Sequence, residues 1–201
     1  MADSARDEIR QLAGSIRALE RQLEVMLAKR RVELNYEVRD GIVHFEHIVI
    51  AKHRLLKAQL LKYIFGARPA MILTSPVIYA LIIPVALLDL FVAVYQMVCF
   101  PVYGIPRVRR ADYLAFDREQ LGYLNILEKL NCAYCAYANG VFAYVREVGS
   151  RTEQYWCPIK HARRVLGVHP RYGSFVDYGD GDAYRHELEQ LRAEARSAEP
   201  S

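Results

Sequence analysis

The chain has 201 residues, a mass of 23.1 kDa, 53% hydrophobic residues and 25% charged residues. This ordinary composition excludes disordered, collagenous and low-complexity proteins, and the length excludes a large multidomain enzyme. The formal net charge is only +4. Since its basic residues are also dispersed along the chain, the charge does not indicate a nucleic-acid-binding protein.

Residues 1–35 are predicted to form an amphipathic, coiled-coil-like helix. Apolar residues recur there at alternating steps of three and four, which is the a/d pattern of a heptad seam: Ile9, Leu12, Ile16, Leu19, Leu23 and Met26. Three heptads are marginally stable alone, so the seam needs a partner. We expect a homo-oligomer formed through residues 9–26; the alternative is that the helix docks on another part of its own chain.

A second, juxtamembrane helix is predicted over residues 41–68, after a break at Asp40 and Gly41. Its apolar residues keep helical spacing, so we expect it to continue into an apolar block that follows. His44 and His47 would lie one turn apart on this helix. No further ligand pattern accompanies them, which favours surface histidines over a metal site.

The apolar block, residues 70–105, predicts a membrane-embedded segment, because it contains a single charged side chain, Asp89. One straight helix of this length would measure about 54 Å, against a hydrocarbon core of about 30 Å. Two arrangements follow: a helical hairpin that turns at Leu87 and Leu88, or one long tilted span. A core helix of a soluble bundle is the third alternative.

Basic residues flank the block on both sides: Arg68 precedes it, and Arg107, Arg109 and Arg110 follow it. Basic flanks stay on the cytoplasmic side of a membrane, which favours the hairpin and places both soluble arms in the cytoplasm. The charged N terminus lacks the apolar core of an export signal. The lipid membrane is therefore the first expected partner.

Asp89 is a candidate intramembrane polar site. A carboxylate in hydrocarbon costs about 2.5–3.5 kcal/mol and usually has a function. The alternative is that Asp89 lies at the apex of the hairpin, where water would solvate it and it would have no chemical role.

Three cysteines and one histidine form the strongest motif of the chain, a Cys-x2-Cys pair followed by Cys-x3-His. The predicted metal ligands are Cys132, Cys135, Cys157 and His161. A helical module over residues 112–168 would hold them. In it, a long helix begins near Asp117, with Gln120 in a capping arrangement, and ends at Gly149.

The second half of the motif predicts a new helix that begins at Pro158. Cys157 would be its N-cap and His161 would lie one turn further on. A helix N-terminus and nearby basic residues favour the thiolate, so Cys157 is expected to lose its proton easily.

Zinc is the expected ion, because three thiolates and one imidazole complete a closed tetrahedral site. Iron or an iron–sulfur cluster is the alternative, since both accept sulfur and imidazole ligands. A redox-active thiol pair, or buried cysteines without a chemical role, would also account for the motif.

The segment from Asn131 to His161, with Asn131-Cys132, Tyr134-Cys135, Asn139-Gly140 and the run RTEQYWCPIKH, resembles a family of small bacterial membrane proteins that is uncharacterised. The resemblance covers roughly residues 75–165, including Asp89 and the stretch Cys-Phe-Pro-Val-Tyr-Gly. It implies the bacterial inner membrane as location. It implies no activity and assigns no functional residue.

The sequence as a whole predicts a mainly α protein with a polar C-terminal tail, residues 169–201. No phosphate-binding loop, nucleophile elbow or zinc-protease motif occurs. The first functional hypothesis is a membrane-anchored, zinc-stabilised scaffold or adaptor that binds an unidentified protein. The second is a membrane-bound redox or metal enzyme that uses the Cys/His site. The third is a membrane-shaping wedge.

Overall fold

The computed structural model describes residues 2–34, 36–39, 42–45, 47–57, 66 and 68–198. The protein is mainly helical, with 72% helix and 5% strand, as predicted. Among the described residues, one helical segment, Pro69–Tyr103, is long and apolar enough to cross a membrane. The chain divides into two compact units, residues 1–68 with 116–133, and residues 69–115 with 134–201.

Helix α1 (Ala2–Glu33) opens the first unit and confirms the predicted N-terminal helix. Five side chains of the predicted seam are more than half exposed: Leu12, Ile16, Leu19, Leu23 and Met26. The side chain of Ile9 lies outside the described set. In the described part of the chain the seam is open to a partner, and the coiled coil stays a prediction.

Two short strands follow α1. Strand β1 (Tyr36–Arg39) pairs antiparallel with β2 (Ile42–Phe45). The register is Tyr36↔Phe45, Glu37↔His44, Val38↔Val43 and Arg39↔Ile42. The aromatic and β-branched residues of both segments favour strands, and Asp-Gly between such segments favours a tight hairpin turn.

The prediction of one helix over residues 41–68 was therefore wrong at its beginning. Helix α2 spans only His47–Leu55, and residues 58–65 lie outside the described ones. His44 lies on β2 and His47 begins α2, so the two histidines do not share a helix. The His53 ring packs edge-on against Phe45 and Tyr123, with centroids 5.0 and 4.9 Å away.

The apolar block forms two consecutive helices in the second unit, α3 (Pro69–Ala80) and α4 (Ile82–Tyr103). Leu81 separates them; its N–H bonds the oxygen of Ile78, three residues back. Pro84 explains the break, because a proline has no N–H to donate to the preceding turn. The hairpin turn predicted at Leu87 and Leu88 was wrong, since both residues lie inside α4.

Gly104 ends α4 in the left-handed conformation, at φ 71°. The N–H of Ile105 bonds the oxygen of Phe100 at 2.9 Å, and Ile105 packs against the Phe100 ring, as in a Schellman motif. The chain then turns back along α4. Residues 105–115, here called the return segment, contain one short 3-10 helix, Arg110–Asp112.

Helix α5 (Ile126–Trp156) follows a second short 3-10 helix, Asp117–Gln120. The predicted cap at Asp117 was wrong, because Asn125 caps α5. Its side-chain oxygen accepts bonds from the N–H groups of Leu127 and Glu128, both at 3.0 Å, and the Glu128 carboxylate accepts the Asn125 N–H at 2.8 Å. This is a reciprocal capping box.

Helices α4 and α5 run parallel within the second unit. The start of α4 packs at Val85 against Ala138 and Val141. Phe100, near its end, packs against Tyr144 and Val148, which lie further along α5. A parallel pair needs a connection that travels back, and the return segment is that connection.

The C-terminal tail is part of the second unit. Helix α6 (Gly181–Ser197) begins at the N-cap Asp180, whose carboxylate accepts the Ala183 N–H at 2.9 Å. Leu191 and Ala195 are buried. The Gln154 side chain of α5 donates to the Leu191 oxygen at 3.2 Å. Part of the predicted polar tail is therefore a helix that packs onto the end of α5.

Gly140→Ala is expected to destabilise the protein by about 1–3 kcal/mol through overpacking. A Cβ at Gly140 would lie 2.6 Å from the backbone oxygen of Tyr113 in the return segment. Gly149→Ala is the control, because a Cβ there meets nothing within 4 Å and should stabilise α5 by about 0.5–1 kcal/mol. Unfolding followed by circular dichroism in detergent measures both; equal stability of the two variants would contradict the close approach.

Candidate functional site

The inward face of α4 carries two polar residues among apolar ones. Val85, Asp89, Gln96 and Phe100 are its buried residues, and Asp89 and Gln96 are each only 8% exposed. Residues seven apart lie on one helix face. The buried polar groups of this face, together with the side chains and backbone that satisfy them, are the candidate functional site.

Asp89 forms the first part of the site, here called the Asp89 cluster, with Arg110 and Tyr137. Arg110 Nε lies 2.9 and 3.1 Å from the two carboxylate oxygens, and Arg110 Nη2 lies 2.7 Å from Oδ2. The Tyr137 hydroxyl donates to the same Oδ2 at 3.0 Å. The carboxylate therefore has both oxygens occupied, and the predicted solvated position at a hairpin apex was wrong.

In the Asp89 cluster, the charges and hydrogen-bonding groups of Asp89, Arg110 and Tyr137 are complementary. Hydrogen bonding to Asp89 raises the pKa of the Arg110 guanidinium above its ordinary value. Burial, and then the hydrogen bond to Asp89, raise the pKa of the Tyr137 phenol, so it stays a neutral donor. A carboxylate held by a guanidinium and a phenol is a poor general base. The cluster joins α4, the return segment and α5.

Gln96 forms the second part of the site by pairing with backbone. Its amide nitrogen donates to the Val108 oxygen at 3.1 Å, and its amide oxygen accepts the Val108 N–H at 2.9 Å. The same nitrogen donates to the Tyr144 hydroxyl at 2.7 Å. Val108 is 3% exposed, so Gln96 satisfies backbone groups that water does not reach.

A buried ionic cluster lies further along α5 and consists of Glu147, Ser150, Arg151 and Arg171. Arg151 is 1% exposed; it donates to Glu147 at 2.9 Å and to the Pro106 oxygen of the return segment at 2.8 Å. Arg171 donates to Glu147 at 2.7 Å and to Ser150 at 2.8 Å. The cluster joins the return segment and the 3-10 helix Pro170–Ser174 to α5.

Burial raises the pKa of Glu147, but hydrogen bonds and charge from Arg171 and Arg151 outweigh it and hold the pKa below its ordinary value. A carboxylate with a depressed pKa adds stability above its unfolded pKa and loses it as pH falls through the folded pKa. Glu147 is therefore an acid-sensitive point of the fold.

The structure does not bring the four predicted metal ligands together. Cys132 and Cys135 lie one turn apart near the start of α5, as predicted. Helix α5 continues past Gly149 to Trp156, so the rise of a helix places Cys135 and Cys157 about 33 Å apart. Among the described residues no group of three cysteine, histidine or acidic side chains could hold a metal ion.

Cys157 is not the N-cap of a helix. Its N–H bonds the Glu153 oxygen at 2.9 Å, at the C-terminal end of α5, and residues 157–161 continue without helix. Burial, and then the charge of Glu153, raise the pKa of the Cys157 thiol. The prediction of easy deprotonation was wrong, because desolvation and the negative charge of Glu153 both disfavour the thiolate.

His161 is held away from Cys135 by its own neighbours. Its backbone N–H donates to the Tyr172 hydroxyl at 2.6 Å, and its ring stacks on Tyr172 at 6.1 Å. Another histidine, His169, pairs with Glu153 at 3.0 Å. These contacts hold the chain after α5 against the end of that helix.

The sequence reasoning missed Gln96, Arg110 and Tyr137. A signal for Gln96 exists, since it follows Asp89 by seven residues in an otherwise apolar helix. Arg110 was predicted only as one of the basic residues that flank the apolar block.

No protein-family model, curated protein or solved structure matches the chain.

Arg110→Met is expected to lower the free energy of unfolding by about 1–3 kcal/mol, because it leaves the buried Asp89 carboxylate without its ion pair. The expected loss is no larger because the Arg110 side chain is partly exposed, so water already screens part of the attraction. Arg109→Met, which removes a neighbouring and 69% exposed guanidinium, should change stability by less than about 0.5 kcal/mol. Adding Asp89→Asn to Arg110→Met should recover part of the loss. Chemical denaturation of the four proteins measures these differences, and no recovery in the double variant would contradict the pairing.

Acid should destabilise the protein through Glu147. The free energy of unfolding is expected to fall as the pH drops below about 4.5, the ordinary pKa of a glutamate. Glu147→Gln should remove this part of the pH dependence, whereas Glu189→Gln, at a 73% exposed carboxylate, should retain it. Unfolding midpoints between pH 3 and pH 7, which is roughly the range of carboxylate titration, test this; identical profiles for the two variants would count against the cluster.

Proposed function

We infer that the protein is a membrane-anchored helical adaptor, in which the apolar segment Pro69–Tyr103 binds the lipid and α1 presents an association surface. One observation carries this proposal: only 11% of the most apolar stretch of that segment is buried. The core helix of a soluble protein would be mostly buried, so this segment needs another apolar environment.

The exposed side chains of the segment support lipid as that environment. On α3 the large apolar side chains are exposed and none is buried. On α4 one face is apolar and exposed: Ile83, Leu87, Leu88, Leu90, Phe91, Val94, Met97, Val98 and Val102. A continuous apolar surface of this kind marks a membrane or a protein partner.

The buried face of α4 makes the segment compatible with a lipid environment. The one charged side chain of the segment, Asp89, is paired inside the protein, so its charge does not face hydrocarbon. Basic residues before and after the segment favour the cytoplasmic side of a bacterial inner membrane for both flanks.

The α1 seam supports the adaptor part of the proposal. Its apolar side chains are 55–68% exposed, a stripe that a second copy of α1 would cover by heptad packing. Attachment to a membrane would raise the local concentration of the marginal coiled coil, which favours association.

Zinc binding is not part of the proposed function, because Cys135 and Cys157 lie at opposite ends of a long helix. It stays a prediction of the Cys-x2-Cys and Cys-x3-His spacing. The alternative metal or redox enzyme needs the same four residues to converge, so nothing in the geometry favours it.

Membrane anchoring is tested by flotation. The full chain mixed with phospholipid vesicles should float with them and resist extraction at high pH and high salt. The variant Leu90→Ser/Phe91→Ser/Val94→Ser should lose more than half of the floated fraction, since each exposed large apolar side chain contributes about 1.5–3 kcal/mol when it enters lipid. The same substitutions keep the inward face intact. Recovery of the full chain in the soluble fraction would contradict the proposal.

Self-association through α1 is tested with Leu19→Glu and the control Arg21→Glu, which lies away from the seam. Leu19→Glu places a charge in the apolar seam and should lower the crosslinked dimer fraction of vesicle-bound protein at least fivefold, equivalent to about 1 kcal/mol. Arg21→Glu should leave that fraction within twofold. Equal crosslinking of both variants would contradict association through the seam.

A further inference from the structure

The return segment restricts how α4 can sit in a bilayer. Val108 lies opposite Gln96 and Arg110 lies opposite Asp89, so irregular backbone accompanies α4 over most of its length. The backbone of Val108 is buried and paired with Gln96, but residues 109–112 of the same segment are exposed. Irregular backbone exposed to lipid does not occur within the hydrocarbon region, because its polar groups have no partners there.

Charge on the return segment adds a second restriction. Arg109 lies between Val108, which is opposite Gln96, and Arg110, which is opposite Asp89. Gln96 and Asp89 are 7 and 14 residues before the end of α4 at Tyr103. If α4 stood upright with Tyr103 at the membrane surface, Arg109 would lie about 10–21 Å deep. Its side chain is 69% exposed, so a guanidinium would face hydrocarbon at a cost of about 2.5–3.5 kcal/mol.

The face of α4 that lies away from Asp89 and Gln96 is apolar and exposed, so it needs an apolar partner along the same length of the helix. Its exposed residues recur at steps of three, four and one, which places them on one stripe: Ile83, Leu87, Leu90, Phe91, Val94, Met97, Val98 and Val102. An α4 that stood outside the membrane would leave the stripe from Leu90 to Val102 in water.

We propose that α4 lies in the plane of the membrane interface, with this stripe among the acyl chains of phospholipids and the return segment on the side of the headgroups. This proposal rests on the membrane anchoring proposed above. An in-plane helix satisfies both restrictions, since its apolar face enters the lipid by about 5–10 Å while the other face stays with the protein. Arg107 and Arg109 then lie at headgroup level, where basic side chains are favoured.

The break between α3 and α4 fits this arrangement. Pro84 and Leu81 interrupt the helix on the N-terminal side of the part of α4 that the return segment contacts. Residues 69–84 would span about 24 Å as a helix, less than the hydrocarbon core of about 30 Å. At this length α3 does not cross the bilayer, so it stays on the same side of the membrane as α4, with its exposed apolar side chains in the same lipid layer.

Depth measurements on single tryptophans test the proposal. In the full chain with Trp156→Phe, which removes the sole native tryptophan, the variants Leu87→Trp, Phe91→Trp, Val94→Trp and Val98→Trp are bound to vesicles of phosphatidylcholine and phosphatidylglycerol. Lipids brominated at different acyl positions quench the fluorescence and report the depth of each tryptophan. Tyr178→Trp, at an exposed residue before α6, is the unquenched control.

The expected result is one common depth for the four stripe positions, within about 5 Å, the rise of one helical turn. An upright helix with Tyr103 at the surface would instead place Phe91 and Val94 within about 3 Å of the bilayer centre, and Leu87 and Val98 about 8–9 Å from it on opposite sides. That pattern, with the two middle positions deepest, would overturn the proposal while leaving membrane anchoring intact. Absence of quenching at all four positions would overturn both proposals.

Discussion

The pairing of Gln96 with the backbone of Val108 is the contact on which the second unit depends. One side-chain amide satisfies both polar groups of a buried peptide and also donates to Tyr144. Without it, the return segment would carry unsatisfied backbone groups into the groove between α4 and α5, at a cost of about 1–3 kcal/mol for each group. Asp89 and Arg151 bond the same segment at two further points, the Arg110 side chain and the Pro106 oxygen. The three contacts together let an extended segment pack between two parallel helices.

The sequence predicted what depends on local pattern. The N-terminal helix and the long apolar helical segment both appear in the structure, because helix periodicity and apolar length are properties of neighbouring residues. The predictions failed where two local signals competed. Asn125 and Glu128 form the same capping pattern as Asp117 and Gln120, and only the tertiary structure selects the former.

The candidate site was predictable only in part. Asp89 was identifiable as the single charge of an apolar block, but its partners are 21 and 48 residues away. The metal prediction required a turn within the 21 residues between Cys135 and Cys157. Gly149 suggested one, yet α5 continues because Val148, Ser150, Arg151 and Gln154 are buried against other parts of the unit. Burial of that face outweighs the weak preference of one glycine for a helix end.

Because synthesis proceeds from the N to the C terminus, the return segment is made before α5 and can pair with α4 first. Helix α4 leaves the ribosome before α5 exists, with a carboxylate and an amide on its inward face. Val108 follows Gln96 by 12 residues, and Arg110 follows Asp89 by 21 residues. Tyr137 and Tyr144 each follow the side chain that they contact by 48 residues. The nascent apolar helix can thus neutralise its polar groups with the first segment that follows it. The later helix can then dock onto a surface whose one charge is already paired.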